Sequence, residues 1–472
     1  SVAELNATSK LVKAWESKNA KNAAKAGGIS MMALSLAACG GSSTTTTTTD
    51  TTTDTTTTVT AVSSNFTTAI DSLSGTAAAD TFTGDAATVS GADSVNGGAG
   101  SDTLKVYGIA ASSLPSMTSV ENLEVYNIAN AGSFDLTAAA FADVTKLTLD
   151  NTTANASNTI TLEADDTLAL KTVTGAADVN IATAATITTT SVEVNGGVGA
   201  STDLMELDFD GTGLTSISLA TTGANYVDID SAGATAAVTL TVTGDGTGTL
   251  DVDDDQTTIN ASATTGGMTI QGDFAGNVAI TGGSGDDKII AAAEVSASDV
   301  IDGGAGEDTL SVTADFTAAT GTISNIEVIE LAEVTESNIT SNTTVSQTID
   351  VDDAFAGISK FAVSGHATDT TPSHTHTANF SINDAASGAE VTITVVDGDA
   401  TANDNVTLDL KTDGTADTAT FNIGSATIAA DFDALTADDI ETATMTVGSK
   451  DGHSILNLDL TDATAVTMSG SG

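Results

Sequence analysis

The chain has 472 residues, with 63 Asp and Glu against 12 Lys and no Arg, and a formal net charge of −51. A surface of that sign excludes phosphate-backbone recognition over most of the molecule, so no nucleic-acid partner is expected. It also repels itself unless salt or divalent ions screen it, which points to a saline exterior that supplies them. Aromatic residues make up 3%, which leaves a thin aliphatic core suited to a solenoid or narrow sandwich and unlike that of a large globular enzyme.

The N-terminal segment, residues 1–38, runs against the overall charge. It holds Lys10, Lys13, Lys18, Lys21 and Lys25 but only Glu4 and Glu16. Leu11 and Trp15 stand four apart, and the Ala-rich stretch to Ala26 predicts a short basic amphipathic helix that Gly27-Gly28 ends. The apolar run from Ile29 to Ala38 is too short to span a bilayer. Leu36-Ala37-Ala38-Cys39 resembles the lipobox of bacterial lipoproteins, which would make Cys39 the lipidated residue. The long basic stretch before it favours an uncleaved helical anchor or assembly segment. Residues 39–60 are Thr-rich. They read either as a solvated linker or as an extended arm lying along another subunit.

From residue 61 the chain changes to short strands and Gly/Asp turns. Gly97-Gly98-Ala99-Gly100-Ser101-Asp102-Thr103-Leu104 repeats as Gly282-Gly283-Ser284-Gly285-Asp286-Asp287-Lys288-Ile289 and as Gly303-Gly304-Ala305-Gly306-Glu307-Asp308-Thr309-Leu310. Glycines with φ > 0 let carbonyl oxygens converge, the Asp adds a carboxylate, and the apolar eighth residue points into the core. This is the calcium turn of RTX-type repeats. Gly75 to Phe82 is a degenerate copy that keeps Gly75, Asp80 and the apolar position. Asp80 to Asp102 and Asp287 to Asp308 each span little more than two nine-residue half-turns, so each pair predicts neighbouring coils of a β-roll with the ion between stacked turns.

A longer repeat overlies these turns. Asp93 maps to Asp299, Asn96 to Asp302, Gly97 to Gly303, Asp102 to Asp308 and Leu104 to Leu310, and Ser119–Val125 lies over Asn325–Leu331. We read two related calcium-binding β modules, 61–265 and 266–472, with Asp299 and Asp302 as further metal candidates. The fold class is all-β: two β-solenoid or β-roll-like modules, with room for sandwich-like parts, behind a helical arm. Alternating runs such as Val238–Thr243, Val391–Val396 and Val406–Leu410 predict half-buried strands.

Among the remaining acidic clusters, Asp251–Asp255 and Asp350–Asp353 read as solvated turns or weak calcium sites. Asp397 and Asp399 with Asp404 form the best further ion candidate. Paired carboxylates for glycan hydrolysis are the competing reading of such clusters. His374 and His376 could share one strand face for a transition metal, but no third ligand is evident. No Gly-x-Ser-x-Gly elbow or HExxH motif is present, and no enzyme activity is expected.

The block from Ser74 through Gly75–Phe82, Ser94–Leu104 and Ser119–Val125 resembles the calcium-dependent S-layer proteins of alphaproteobacteria. The resemblance extends, more loosely, over the Thr/Ala-rich body. It implies type I secretion, a β-solenoid-like body on the cell surface, Ca2+ as the bound ion, and assembly with copies of itself, with outer-membrane lipid or lipopolysaccharide as a further partner. A calcium-dependent adhesin on a Thr-rich stalk is the alternative. The chain departs from that pattern in carrying only three complete octamers and a lipobox-like segment.

Overall fold

In a computed structural model of the chain, the described residues are 60–175, 178–253, 255–272, 277–291, 295, 298–312, 322–332, 343–351, 358–367, 376–397 and 404–470. They belong to one compact unit, Thr58–Gly472. The expected N-terminal helix, Cys39 and most of the Thr-rich tract lie outside the described residues. Among the described residues the one helical element is a single 3-10 turn, Ala111–Ser113.

The unit is a parallel β-solenoid in which, within each ladder, a strand pairs with the second strand after it in the chain. One face is a thirteen-stranded ladder from Ser63–Asn65 to Thr322–Ser324, taking in Thr81–Asp85, Thr103–Tyr107, Asn122–Ile128 and Val300–Asp302. The intervening strands form the other face. Ser72–Ser74, Ser94–Asn96 and Ser116–Thr118 make a short first ladder. A longer one follows from Phe134–Asp135 through Met205–Asp210, Ala224–Asp230, Thr247–Val252, Lys288–Ala291 and Thr309–Val312 to Ala465–Gly470. Every ladder between named strands is parallel, so the sandwich-like parts allowed by the sequence do not occur among them.

The cause is visible in the register. Side chains alternate in and out along a strand, and parallel pairing without slippage puts like on like from coil to coil. Phe82, Leu104, Leu123, Leu147, Leu168, Val192, Leu219 and Val242 therefore stack as one apolar column, each at most 1% exposed. Phe361, Val391, Phe421 and Met445 make a second. Thr, Ser, Asn and charged residues take the outward positions, as the runs Val238–Thr243 and Val406–Leu410 illustrate.

Coil length changes along the solenoid. Register partners lie 18 residues apart at Ser63 and Thr81, 22 at Thr81 and Thr103, 21 at Ala279 and Val300, and 33 at Thr343 and His376. The ladders cross residue 265 unbroken, since Gln256–Thr264 pairs with Ala279–Thr281 and Met268–Gly272 pairs with both Thr247–Val252 and Lys288–Ala291. The two sequence modules are consecutive stretches of one solenoid. The repeat also changes face: Asp102 leads into Thr103–Tyr107 on the thirteen-stranded ladder, whereas Asp308 leads into Thr309–Val312 on the other.

Candidate calcium corners

The Asp of each turn sits one residue before a strand, at the corner of the coil, and strand register stacks these corners. Asp80, Asp102 and Glu121 form one column, and Asp287, Asp308 and Glu327 a second. Along each column a carboxylate accepts the backbone N–H of the residue one coil earlier. Asp80 N donates to Asp102 Oδ1 at 2.7 Å and Asp102 N to Glu121 Oε2 at 2.7 Å. Asp287 N donates to Asp308 Oδ1 at 2.8 Å and Asp308 N to Glu327 Oε2 at 2.8 Å. The first acid of each column reaches further back, Asp80 Oδ1 to Val62 N at 2.6 Å and Asp287 Oδ1 to Met268 N at 2.8 Å.

The glycines serve two different ends. Gly98 and Gly304 both hold φ +102°, and Gly100 and Gly306 hold +121° and +140°, so these four make the left-handed bend read from the sequence. Gly283 and Gly285 lie outside that region. There glycine is needed for close approach, because a Cβ on Gly283 would strike Thr264 and one on Gly285 the Gly266-Gly267 backbone. The leading glycines do the same: a Cβ on Gly75, Gly97, Gly282 or Gly303 would collide with the carbonyl oxygen of Gly97, Ser119, Gly303 or Asn325 respectively, and with the carboxylate of its own turn's Asp. Each corner is thus a cradle in which a carbonyl oxygen and a carboxylate oxygen flank a bare α-carbon.

The electrostatics separate the members of a column. The Val62 amide holds Asp80 below the usual carboxylate range against the opposing effect of burial, and Thr76 assists. Burial pushes Asp102 up, opposed by the Asp80 amide and reinforced by the charges of Glu121 and Asp80. Asp308 is pushed up to about 6, first by burial, with the charges of Asp287, Glu327 and Asp286 adding to it. Asp102 and Asp308 are 0% and 1% exposed, yet Oδ2 of each has no hydrogen-bond partner. A buried carboxylate oxygen left bare carries a desolvation penalty that a bound cation removes. Among the described residues no three His, Cys, Asp or Glu side chains converge on one point. A cation here would draw on backbone carbonyls as well as carboxylates, a donor set made for calcium, which takes six to eight oxygen ligands.

Other predicted residues fall elsewhere. Asp299 and its counterpart Asp93 are buried at the opposite corner, where Asp299 Oδ1 accepts Val278 N at 2.9 Å and Asp93 Oδ1 accepts Asp71 N at 2.8 Å. The Asp71 amide, outweighing burial, holds Asp93 low. Asp302 accepts Asn325 Nδ2 at 2.6 Å and Gly304 N at 3.2 Å, bracing the turn from outside. Asp404 is buried with Oδ1 on Ala378 N at 2.7 Å. Asp397 ends the strand Ala389–Asp397, Asp399 lies outside the described residues as does His374, and His376 opens the strand His376–Ala385.

Asp251 corrects the reading of its cluster as a turn, because it lies within the strand Thr247–Val252. In-register pairing stacks Glu206, Asp228 and Asp251 in one outward row, and Asp208 with Asp230 in another. Burial and neighbouring Asp charges push Glu206 up to about 7 and Asp253 to about 6. Gln271 Nε2 donates to Asp251 Oδ2 at 2.7 Å, and Asp228, Asp251, Asp253 and Gln271 line an open cleft of about 400 Å³.

The sequence reading missed Glu121 and Glu327 as site residues, and the carbonyls of Ser119 and Asn325. The signal was available: Ser119-Val120-Glu121 and Asn325-Ile326-Glu327 keep the same offset as the octamers.

With this geometry in place, the comparisons fall on the same corners. The description "RTX calcium-binding nonapeptide repeat (4 copies)" matches residues 67–104, 275–293 and 296–314. Those stretches hold the degenerate turn and all three complete octamers. No curated protein and no solved structure matches the chain. The chain carries RTX-type calcium-binding repeats, and repeats of that kind bind calcium ions.

Proposed function

We propose that this chain is a secreted structural protein of the bacterial cell surface, whose calcium-set solenoid assembles with copies of itself into an S-layer-like array or an extracellular filament. The observation that carries the reading is the pair of acid columns, with Asp80, Asp102, Asp287 and Asp308 buried, built into one continuous parallel solenoid. Calcium held there joins adjacent coils, so it stiffens a scaffold and does not sit in a substrate cleft. RTX β-roll repeat chains are generally structural and non-enzymatic. The low content of Trp, Tyr and Arg, residues that dominate recognition hot spots, favours extended repeated contacts over a compact binding patch. Outer-membrane lipid or lipopolysaccharide is the surface on which such an array would rest.

Electron microscopy of the purified full chain in millimolar calcium, and after a chelator, tests this. Ordered sheets or filaments that dissolve on chelation are expected. Particles that remain monomeric in calcium would overturn the assembly reading and favour a calcium-dependent adhesin.

A further inference from the structure

Each acid column ends in a corner that carries no octamer, and these two corners match each other closely. Gly75 N donates to Asn96 O at 2.8 Å, just before Gly97, while Gly97 N donates to Thr118 O at 3.0 Å, just before Ser119. In the second column Gly282 N donates to Asp302 O at 2.7 Å, just before Gly303, and Gly303 N donates to Ser324 O at 3.0 Å, just before Asn325. Ser119 and Asn325 therefore stand one coil on from the leading glycines Gly97 and Gly303, in the place each of those holds for the coil before it. Both adopt the left-handed backbone rarely taken by non-glycine residues, with φ +50° and +52°. Val120 and Ile326 then turn into the core, and Glu121 and Glu327 arrive in register with Asp102 and Asp308. Three residues do what six do in the octamer, and the extra methylene of Glu supplies the missing reach.

We propose that Ser119-Val120-Glu121 and Asn325-Ile326-Glu327 complete a second calcium site in each column, between the last octamer and the coil that follows it. The inference rests on the calcium reading of the octamers and extends it to residues outside their motif. Two independent observations support it. The carbonyl oxygens of Ser119 and Asn325 occupy the cradles of Gly97 and Gly303, as the carbonyls of Gly97 and Gly303 occupy those of Gly75 and Gly282. The carboxylates facing them, Asp102 and Asp308, are the ones whose buried Oδ2 has no hydrogen-bond partner. In contrast, Oδ2 of Asp80 and of Asp287 accepts a turn amide, from Thr76 and from Gly283 at 2.7 Å. The oxygens left bare are those that face the motif-free corners. Glu121 and Glu327 fix the Asp102 and Asp308 amides and add negative charge beside the bare oxygen, the two contributions a hard dication requires.

The test is calcium titration calorimetry on the full chain with Glu121→Gln, Glu327→Gln and the double variant, beside Asp287→Asn as a lesion of the octamer-to-octamer site. Gln keeps an acceptor for the Asp102 or Asp308 amide and removes the charge. Each single variant should weaken one site by about tenfold or more, the double variant two, with melting temperature in chelator unchanged. Calcium binding that loses one site in Asp287→Asn and is wild-type in both Glu variants would overturn this inference and leave the octamer reading standing. An equal fall in melting temperature with calcium and with chelator would also overturn it, reducing the Glu residues to structural braces. A wild-type chain that binds no calcium would overturn both.

Discussion

The solenoid stacks carboxylates in two ways, at the corners and on a sheet face, and the contrast shows what register alone does and does not achieve. Parallel in-register coils bring Asp80, Asp102 and Glu121 together as surely as they bring Glu206, Asp228 and Asp251 together. At the corner Asp80 and Asp102 are buried and Glu121 half-buried, and each finds a backbone N–H one coil earlier. On the face they are half-exposed, and Asp251 is met by the side chain of Gln271, one coil on. Stacked acids thus become a site where backbone N–H groups from the neighbouring coil and a facing carbonyl oxygen converge on them, and remain a repulsive ridge where they face outward from a sheet.

Removing calcium should break the contrast most strongly. A filled site at about a hundredfold excess of free calcium over its Kd contributes about 2.7 kcal/mol, so several filled sites together should shift the thermal unfolding of the coils around 75–121 and 282–327 by many degrees. Scanning calorimetry in calcium and in chelator measures this. A melting curve indifferent to chelator would make the corner column equivalent to the ridge.

Next in size, Asp102→Ala or Asp308→Ala should lower calcium affinity and the melting temperature in calcium, with little change in chelator. Asp93→Ala is the control at the other corner. It strands the Asp71 and Ser90 amides and should cost about 1–3 kcal/mol with or without calcium. If both substitutions behave alike, the octamer Asp is a structural staple only.

pH should act with opposite signs in the two conditions. In the calcium-free protein Glu206, raised to about 7, and Asp253 and Asp308, raised to about 6, bind protons when folded at pH values where the unfolded chain has already lost them. Stability is then lower above pH 7 and rises as pH falls through 7 and 6. Below about pH 4 the gain is complete, and Asp80 and Asp93, held low by amides, begin to oppose it. With calcium present, protonation of Asp308 competes with the ion, so the melting temperature should fall over the same interval. Melting curves from pH 5 to 8 in both conditions decide this, and curves of the same slope would refute it.

The smallest effect belongs to the ridge. Asp228→Asn relieves its like-charge neighbours and should stabilise the calcium-free protein by about 0.2–1 kcal/mol at low salt, fading as salt is raised. Denaturant midpoints at two ionic strengths measure it. A loss of stability would show that Asp228 is braced in a way the row does not reveal.

Much of the corner was legible because its chemistry is written in consecutive residues. Gly97 to Leu104 carries the bend, the carboxylate and the inward anchor in eight positions, and Leu104, Ile289 and Leu310 are indeed fully buried. Period-two alternation likewise announced strands such as Val238–Gly244. Glu121 and Glu327 escaped notice because their role depends on register between coils, which no single window of sequence displays. The ridge was misread for the same reason: Asp251-Val252-Asp253 looks like a turn, yet the backbone of Leu250 and Asp251 pairs with strands on both sides.

The change of face between the two columns has a mechanical consequence. A flattened coil pinned along one rim is free to curl about that rim, so a single ion-filled corner would make a curved ribbon. Here the first set of pins lies on the corner that enters the thirteen-stranded ladder, and the second on the corner that enters the opposite one. With both filled, each rim is braced over a different stretch and the tendencies to curl oppose one another. With only one filled, they would not, and the concentration of calcium would set curvature as well as stiffness.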